Sequence, residues 1–337
     1  MSKVAILGAG AWGTALALTI ARGGRTVMLC VRRPRHLEAI RASGENSIHL
    51  PGIRLPAKLG LTSDWETAVR DAATVVMAVP SRFARDAITT VAHAVPADAM
   101  IVSVTKGIEP DTLLTMSAML EEVMATRSEA VPASDRVAVL SGPGFAAEVA
   151  RGQPAALVAA ARDAALAARA QALFATRPLR IYRSDDVIGV ELGGAIKNVI
   201  AVAAGICDGL ELGSSARAAL ITRGLAEMMR LAAAAGARRE TLAGLAGLGD
   251  LILTCTGDLS RNHALGIRVA RGEALGPPTD GAPVAEGAGN ALTIRALAAR
   301  IGVEMPIVSA VYRVLYEVAP VNAMVDELLN RQLKAEF

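Results

Sequence analysis

Through the first half of the chain, short apolar runs alternate with longer segments whose apolar positions recur at helical spacing. The runs are K-V-A-I-L at 3–7, T-V-M-L-C-V at 26–31, and 74–79, 99–105, 137–141 and 155–160. Runs of this length, apolar at nearly every position, suit strands buried on both faces of a parallel sheet. The first helical segment, T-A-L-A-L-T-I-A-R, ends at Arg22, where Gly23-Gly24 stops it. Beyond about residue 186 the strand-like runs cease. Helix-like segments follow at 186–209, 215–235, 240–247, 262–272, 288–301 and 306–318, separated by Gly, Pro and Asp clusters such as G-P-P-T-D-G-A-P at 276–283. The pattern predicts an α/β fold: a Rossmann-like, doubly wound parallel sheet over 1–187, then an all-helical domain over 188–337.

A length of 337 residues also favours two domains. Apolar residues make up 53% and mean hydropathy is +0.40, but much of that is alanine. No uninterrupted run reaches the roughly 20 residues of a membrane span, so none is expected. The start, M-S-K-V-A-I-L-G-A-G, lacks the layout of a signal peptide. With 35 basic against 32 acidic residues and 3% aromatics, no nucleic-acid partner is expected. Cys30, Cys207 and Cys255 are sparse and sit in apolar segments, which argues for reduced thiols and a cytoplasmic protein. His36, His49, His93 and His263 show no metal-ligand spacing, and no metal site is expected.

Gly8-Ala9-Gly10-Ala11-Trp12-Gly13 is a G-x-G-x-x-G placed between a strand and a helix, as its mechanism requires. Gly8 allows the tight turn, Gly10 lets a pyrophosphate approach the backbone, and Gly13 lets helix pack on strand. The helix start supplies N–H donors and positive potential to the phosphates. A plain glycine turn is the competing reading. The second strand carries no acidic residue for ribose hydroxyls and runs into Arg32-Arg33-Pro34-Arg35. Guanidinium groups there suit the 2′-phosphate of NADP, so NADP(H) is expected to be preferred over NAD(H), with NAD(H) still usable. A solvated basic helix start is the alternative. Pro80-Ser81, Lys106-Gly107 and Gly142-Pro143-Gly144 follow the next strand ends, where ligands lie in such sheets.

Lys197 is the only charged residue between Glu191 and Asp208. Burial disfavours an ammonium and moves its pKa toward neutrality, where a lysine exchanges protons. A lysine extending its head to water from a core helix would show the same pattern. Asn198 follows, able to bond a substrate oxygen, and Gly193-Gly194 precede it. Gly247-Leu248-Gly249-Asp250-Leu251 offers Asp250 either as a helix cap or as a site carboxylate. Ser260-Arg261-Asn262 reads as a helix cap or as a cradle for a phosphate monoester. Pro283-Val284-Ala285-Glu286-Gly287 is a turn between helices.

Eight motifs occur in order: G-A-G-A-W-G, A-V-P-S near 80, V-T-K-G-I near 106, S-G-P-G-F-A at 141–146, E-L-G-G-A-I-K-N, G-L-G-D-L, S-R-N and V-A-E-G. Together they closely resemble the bacterial NAD(P)-dependent sn-glycerol-3-phosphate dehydrogenases, from Val4 to about Met324. The resemblance implies a helical second domain like the C-terminal domain of 6-phosphogluconate dehydrogenase. It also implies reversible hydride transfer between NAD(P)H and dihydroxyacetone phosphate, giving sn-glycerol 3-phosphate for glycerophospholipid synthesis. By resemblance Lys197 is the catalytic acid/base. Lys106 touches cofactor and substrate, and Asn198, Asp250 and Thr254 order the carbonyl site. Ser260, Arg261 and Asn262 hold the substrate phosphate, with Gly142 and Gly144 as further substrate contacts. Gly8, Gly10, Ala11, Trp12, Gly13, Arg32, Arg33, Lys106, Ala146, Arg261, Val284 and Glu286 line the cofactor site. Gly144 departs from the family, which usually has serine there, and a hydroxyl is lost. A homodimer is the expected assembly. β-Hydroxyacid dehydrogenases and ketopantoate reductase-like enzymes share the opening fingerprint and a helical lysine, but G-L-G-D-L followed by S-R-N is not expected in them. An NADP-sensing protein without turnover would have no reason to keep Lys106, Lys197, Asp250 and Arg261 together.

Overall fold

The computed structural model describes residues 3–126, 132–273, 285–332 and 335. Eight strands form one sheet: β1 (Lys3–Leu7), β2 (Thr26–Cys30), β3 (Gly60–Thr62), β4 (Ala72–Met77), β5 (Met100–Ser103), β6 (Val137–Ser141), β7 (Ala155–Ala160) and β8 (Leu179–Ser184). Their spatial order is β3-β2-β1-β4-β5-β6-β7-β8. β1 to β6 pair in parallel, β7 runs antiparallel to β6, and β8 is parallel to β7. The expected parallel sheet is therefore mostly parallel, with a reversed pair at one edge. β1 shows why the runs are continuously apolar. Val4 and Ile6 enter one buried cluster with Leu29 and Val76, while Ala5 and Leu7 enter another with Val75 and Ile101.

Helices α1 (Ala11–Arg22), α2 (Pro34–Ser43), α3 (Trp65–Val69), α4 (Ser81–Val91), α5 (Met116–Ala125), α6 (Ala146–Arg151) and α7 (Ala164–Phe174) connect the strands. The chain order reverses about β1, so the carboxyl ends of β1, β2, β4 and β5 open onto one crevice.

Past β8 the chain is helical: α8 (Val187–Gly209), α9 (Ser214–Ala234), α10 (Arg239–Ala243), a π-helical turn over 245–249, α11 (Asp250–Thr256), α12 (Arg261–Ala270), α13 (Glu286–Ile301), α14 (Pro306–Tyr316) and α15 (Val321–Leu329). Asp186 caps α8, accepting from the Gly189 N–H at 2.9 Å. By length and composition α8 could cross a membrane, but 89% of its most apolar window is buried inside the protein. Its glycines set how closely neighbours approach. A Cβ at Gly205 would lie 2.0 Å from the His263 carbonyl oxygen, and one at Gly266 2.1 Å from that of Val202. α8 and α12 thus cross backbone on backbone. The expected loop at 276–283 lies outside the described residues.

Candidate active site

The loop between β1 and α1 has the geometry of a dinucleotide cradle. Gly8 sits at φ +113°, and a Cβ there would meet the Ala78 carbonyl oxygen at 2.5 Å. A Cβ on Gly13 would lie 2.1 Å from the Gly8 oxygen, whereas one on Gly10 would meet nothing within 4 Å. Gly10 caps α1 with no side-chain hydrogen bond, which leaves the first-turn N–H groups to a ligand. The Trp12 Nε1 is buried with no hydrogen-bond partner among the described residues. The open face at Gly10, the free helix start and this donor fit a pyrophosphate-bearing cofactor. Ala11 begins α1, and Ala146, at the start of α6, packs in the same cluster as Trp12.

Sequence reasoning missed the residue that fixes this loop. Asn46 is fully buried and donates to the Ala9 carbonyl oxygen and to the Thr14 hydroxyl, both at 2.8 Å. Its Oδ1 lies 2.9 Å from His36 Nε2. It belongs to no motif or periodic stripe, so nothing in the sequence flagged it.

Past β2, the Arg32 guanidinium lies 5.6 Å from the Phe83 ring centroid, with Arg82 on the same ring at 4.6 Å. Arg33 occupies the cap position of α2. His49, also missed by sequence, registers the local charge. Burial and then the nearby His36, Arg261 and Arg33 push its pKa down to about 4. Such a cation-rich corner favours an anion.

The chemistry gathers where α8, α11 and the segment after β5 meet. Lys197 Nζ donates to Asp250 Oδ1 at 2.9 Å and to the Thr254 hydroxyl at 2.6 Å. Lys106 Nζ donates to Asp250 Oδ2 at 2.6 Å and to the Gly142 carbonyl oxygen at 2.9 Å. One carboxylate is shared by two ammonium groups. Lys197 is 6% exposed, so its head does not reach out to bulk water, and Asp250 is 1% exposed. Burial drives the Lys197 pKa down to about 8. Asp250 opposes the fall and the Lys106 charge adds to it. Burial alone would raise the Asp250 pKa, but the charges of Lys106 and Lys197 outweigh it and hold the carboxyl below its usual range. Asp250 begins α11 without capping it; its oxygens are committed to the lysines. A Cβ on Gly193 would stand 2.5 Å from the Ala246 oxygen, so the turn carrying Asp250 lies directly on α8.

Ser260 caps α12, accepting from the His263 N–H at 3.2 Å, and is buried. Buried Asn262 donates to Asn198 Oδ1 at 2.8 Å and accepts from the Gly287 N–H at 2.9 Å. Asn198 in turn reaches the Lys106 carbonyl oxygen at 3.5 Å. Arg261, exposed at the start of α12, is near enough to Glu286 for the two charges to influence each other. Burial pushes the Glu286 pKa up to about 7, against the Arg261 and Arg82 charges. Gly142 has φ +127° and needs to be glycine. Gly144 does not: a Cβ there would make an ordinary 3.4 Å contact with Trp12 Cη2. Val284 lies outside the described residues. No group of three or more His, Cys, Asp and Glu able to hold a metal occurs among the described residues.

Residues 3–167 match the family model of the NAD-dependent glycerol-3-phosphate dehydrogenase N-terminus, and residues 186–326 match that of its C-terminus. A glycerol-3-phosphate dehydrogenase (NAD(P)+) of Thiobacillus denitrificans is 50% identical over 337 residues, covering 99% of this chain and 100% of the relative. Another, of Geobacter sp. strain M21, is 48% identical over 335 residues, covering 99% and 98%. The crystal structure of glycerol-3-phosphate dehydrogenase from Coxiella burnetii superposes with a TM-score of 0.88 at 40% identity, covering 98% of this chain and 99% of that one. With both halves matched in order and relatives this similar along their whole length, the chain belongs to the NAD-dependent glycerol-3-phosphate dehydrogenase family.

Proposed function

We propose that the chain catalyses reversible reduction of dihydroxyacetone phosphate to sn-glycerol 3-phosphate, with NADP(H) preferred and NAD(H) accepted. The observation that carries this reading is the Lys106–Asp250–Lys197 cluster at the crevice of a dinucleotide-binding sheet. Gly8–Gly13 would hold the pyrophosphate of the cofactor, whose reduced nicotinamide would supply the hydride. Lys197, protonated and held between Asp250 and Thr254, stabilises the charge that builds on the carbonyl oxygen and gives it a proton. In the reverse direction neutral Lys197 takes the hydroxyl proton. A pKa near 8 lets one amine serve both directions.

Lys106 adds a second positive charge beside the carbonyl, and Asn198 orients the substrate. Ser260, Arg261 and Asn262 receive the phosphate. There a guanidinium fork and a helix start bind non-reacting oxygens and so position the carbon that reacts. Arg32 and Arg33 receive the 2′-phosphate of NADP, and Trp12, Ala146, Val284 and Glu286 border the cofactor. The division at residues 187–188, a homodimeric assembly and a role in glycerophospholipid synthesis belong to the same proposal. Three buried, unpaired cysteines support a reducing, cytoplasmic setting.

The test is oxidation of NADPH by the purified protein with dihydroxyacetone phosphate, run beside NADH. Turnover with a higher kcat/KM for NADPH is expected. No turnover with either cofactor would overturn the reading, and equal efficiency would remove the NADP preference.

A further inference from the structure

Asn290 lies one turn into α13, the helix that Glu286 begins, and is 1% exposed. A buried primary amide is costly unless its donors are used. Here both are. Nδ2 donates to the Ala195 carbonyl oxygen at 2.9 Å and to the Lys106 carbonyl oxygen at 3.2 Å. One side chain thus ties the cofactor helix α13 to the Lys197 helix α8 and to the backbone that carries Lys106.

That backbone is anchored just before Lys106, where the Val104 N–H donates to the Met77 carbonyl oxygen at 3.0 Å and the Thr105 hydroxyl to that of Val79 at 2.7 Å, but the Lys106 peptide itself has few partners. β5 ends at Ser103, so Lys106 lies beyond the sheet ladder. No backbone N–H among the described residues donates to its carbonyl oxygen. The other side-chain donor is the Asn198 amide, at the longer distance of 3.5 Å. The next residue shows how tightly the segment is set. A Cβ on Gly107 would lie 2.6 Å from Ser81 Oγ and 3.0 Å from Asn290 Oδ1. Gly107 is therefore pressed between the start of α4 and Asn290.

We propose that Asn290 is a positioning residue for the reaction: by bonding the Lys106 carbonyl to α8 it sets the Lys106 ammonium against Asp250, beside Lys197. This rests on the function proposed above.

The role has a signature that packing alone lacks. The Lys106 charge is one of the influences that lower the Lys197 pKa. If the segment slackens and Lys106 withdraws from Asp250, Lys197 is opposed by less like charge and holds its proton to higher pH. Reduction, which needs protonated Lys197, should then persist to higher pH. A variant that merely loosened α13 would lower the folded fraction and leave the pH limb where it was.

The experiment compares Asn290→Ala with Asn290→Leu, which keeps most of the volume and loses the amide donors without adding a charge. Thr293→Val on the same helix serves as the control, because Thr293 bonds only within α13. Steady-state reduction of dihydroxyacetone phosphate is followed from pH 6 to 10, with NADPH affinity and melting temperature measured alongside. Both Asn290 variants should bind NADPH with nearly unaltered Kd. Their kcat/KM for dihydroxyacetone phosphate should fall about 10- to 100-fold, on the scale of a misplaced catalytic group. The alkaline limb should move up, and Thr293→Val should change neither quantity. If Asn290→Ala does not fold, Asn290→Leu carries the comparison alone. Unchanged kcat/KM in the Asn290 variants, or a fall matched by Thr293→Val with an unmoved limb, would overturn the positioning role. Failure of the unaltered protein to reduce dihydroxyacetone phosphate would instead overturn the proposed function.

Discussion

Lys197 combines a buried amine, a carboxylate at 2.9 Å and a hydroxyl at 2.6 Å, and each shapes the rate profile. Desolvation favours the neutral amine, and Asp250 favours the ammonium without fully offsetting burial. Reduction uses the ammonium, so its rate should fall as pH rises through about 8, and oxidation should rise over the same interval. Asp250→Asn removes the group that raises the pKa, so the reductive limb should move to lower pH. Paired pH profiles of the two proteins check the direction, and a limb that moves up would contradict the electrostatics. Lys197→Ala should cost about 10²- to 10⁴-fold in kcat, the span of general acid catalysis, with cofactor Kd nearly unchanged. The lysine was legible in the sequence because it stands alone in an apolar helix. Its partner was visible only as one of two readings of Asp250. Positions 106, 197 and 250 are far apart in the chain, and only the fold brings two cations onto one carboxylate. Asn46 and Asn290 were invisible, since a buried amide leaves no periodic trace, and His49 was weighed only as a metal ligand.

At the scale of elements, the continuous apolar runs marked β1, β2, β4, β5, β6 and β7 because each is buried on both faces of the sheet. β3 is three half-buried residues and β8 is an edge strand with Arg180, Tyr182 and Arg183 outside, so neither makes such a run. Strand direction is set by connections rather than by composition, which is why the reversal at β7 did not show. The glycines separate two kinds of constraint that look alike in the sequence. Gly205→Ala would drive a methyl group into the His263 carbonyl and push α12, with Ser260, Arg261 and Asn262, away from α8. It should lower the melting temperature markedly and raise KM for dihydroxyacetone phosphate. Gly10→Ala meets nothing within 4 Å. It should leave the melting temperature nearly unchanged and weaken cofactor binding, because its methyl group stands where a pyrophosphate approaches. Thermal melts with and without NADPH distinguish the two. Equal destabilisation by both would show that Gly10 is structural.

Over the whole molecule α8 is shared ground. Its first turns, with Val187 and Val190, pack against Val139, Val158 and Ala160 of the sheet, and its later turns form the centre of the helical cluster. Glu191, 5% exposed, accepts from the Ser117 N–H at 2.8 Å and from the Ser117 hydroxyl at 2.5 Å. The start of α5, a helix on the sheet, is thereby tied to the helix that carries Lys197. Neither body can release α8 without exposing a long apolar surface, so the sheet and the helices should unfold together. Calorimetry should give a single transition, displaced upward by NADPH, which binds the folded state alone. Glu191→Ala leaves the Ser117 N–H buried without an acceptor, at a cost of about 1–3 kcal/mol. At a few degrees per kcal/mol for a chain of this size, the transition should drop by several degrees. If α8 is the coupling element, that transition stays single, because the apolar contacts on both sides of the helix remain. Two resolved transitions in the unaltered protein would show that each body holds its own fold, and would reduce α8 to a surface on which the sheet merely rests.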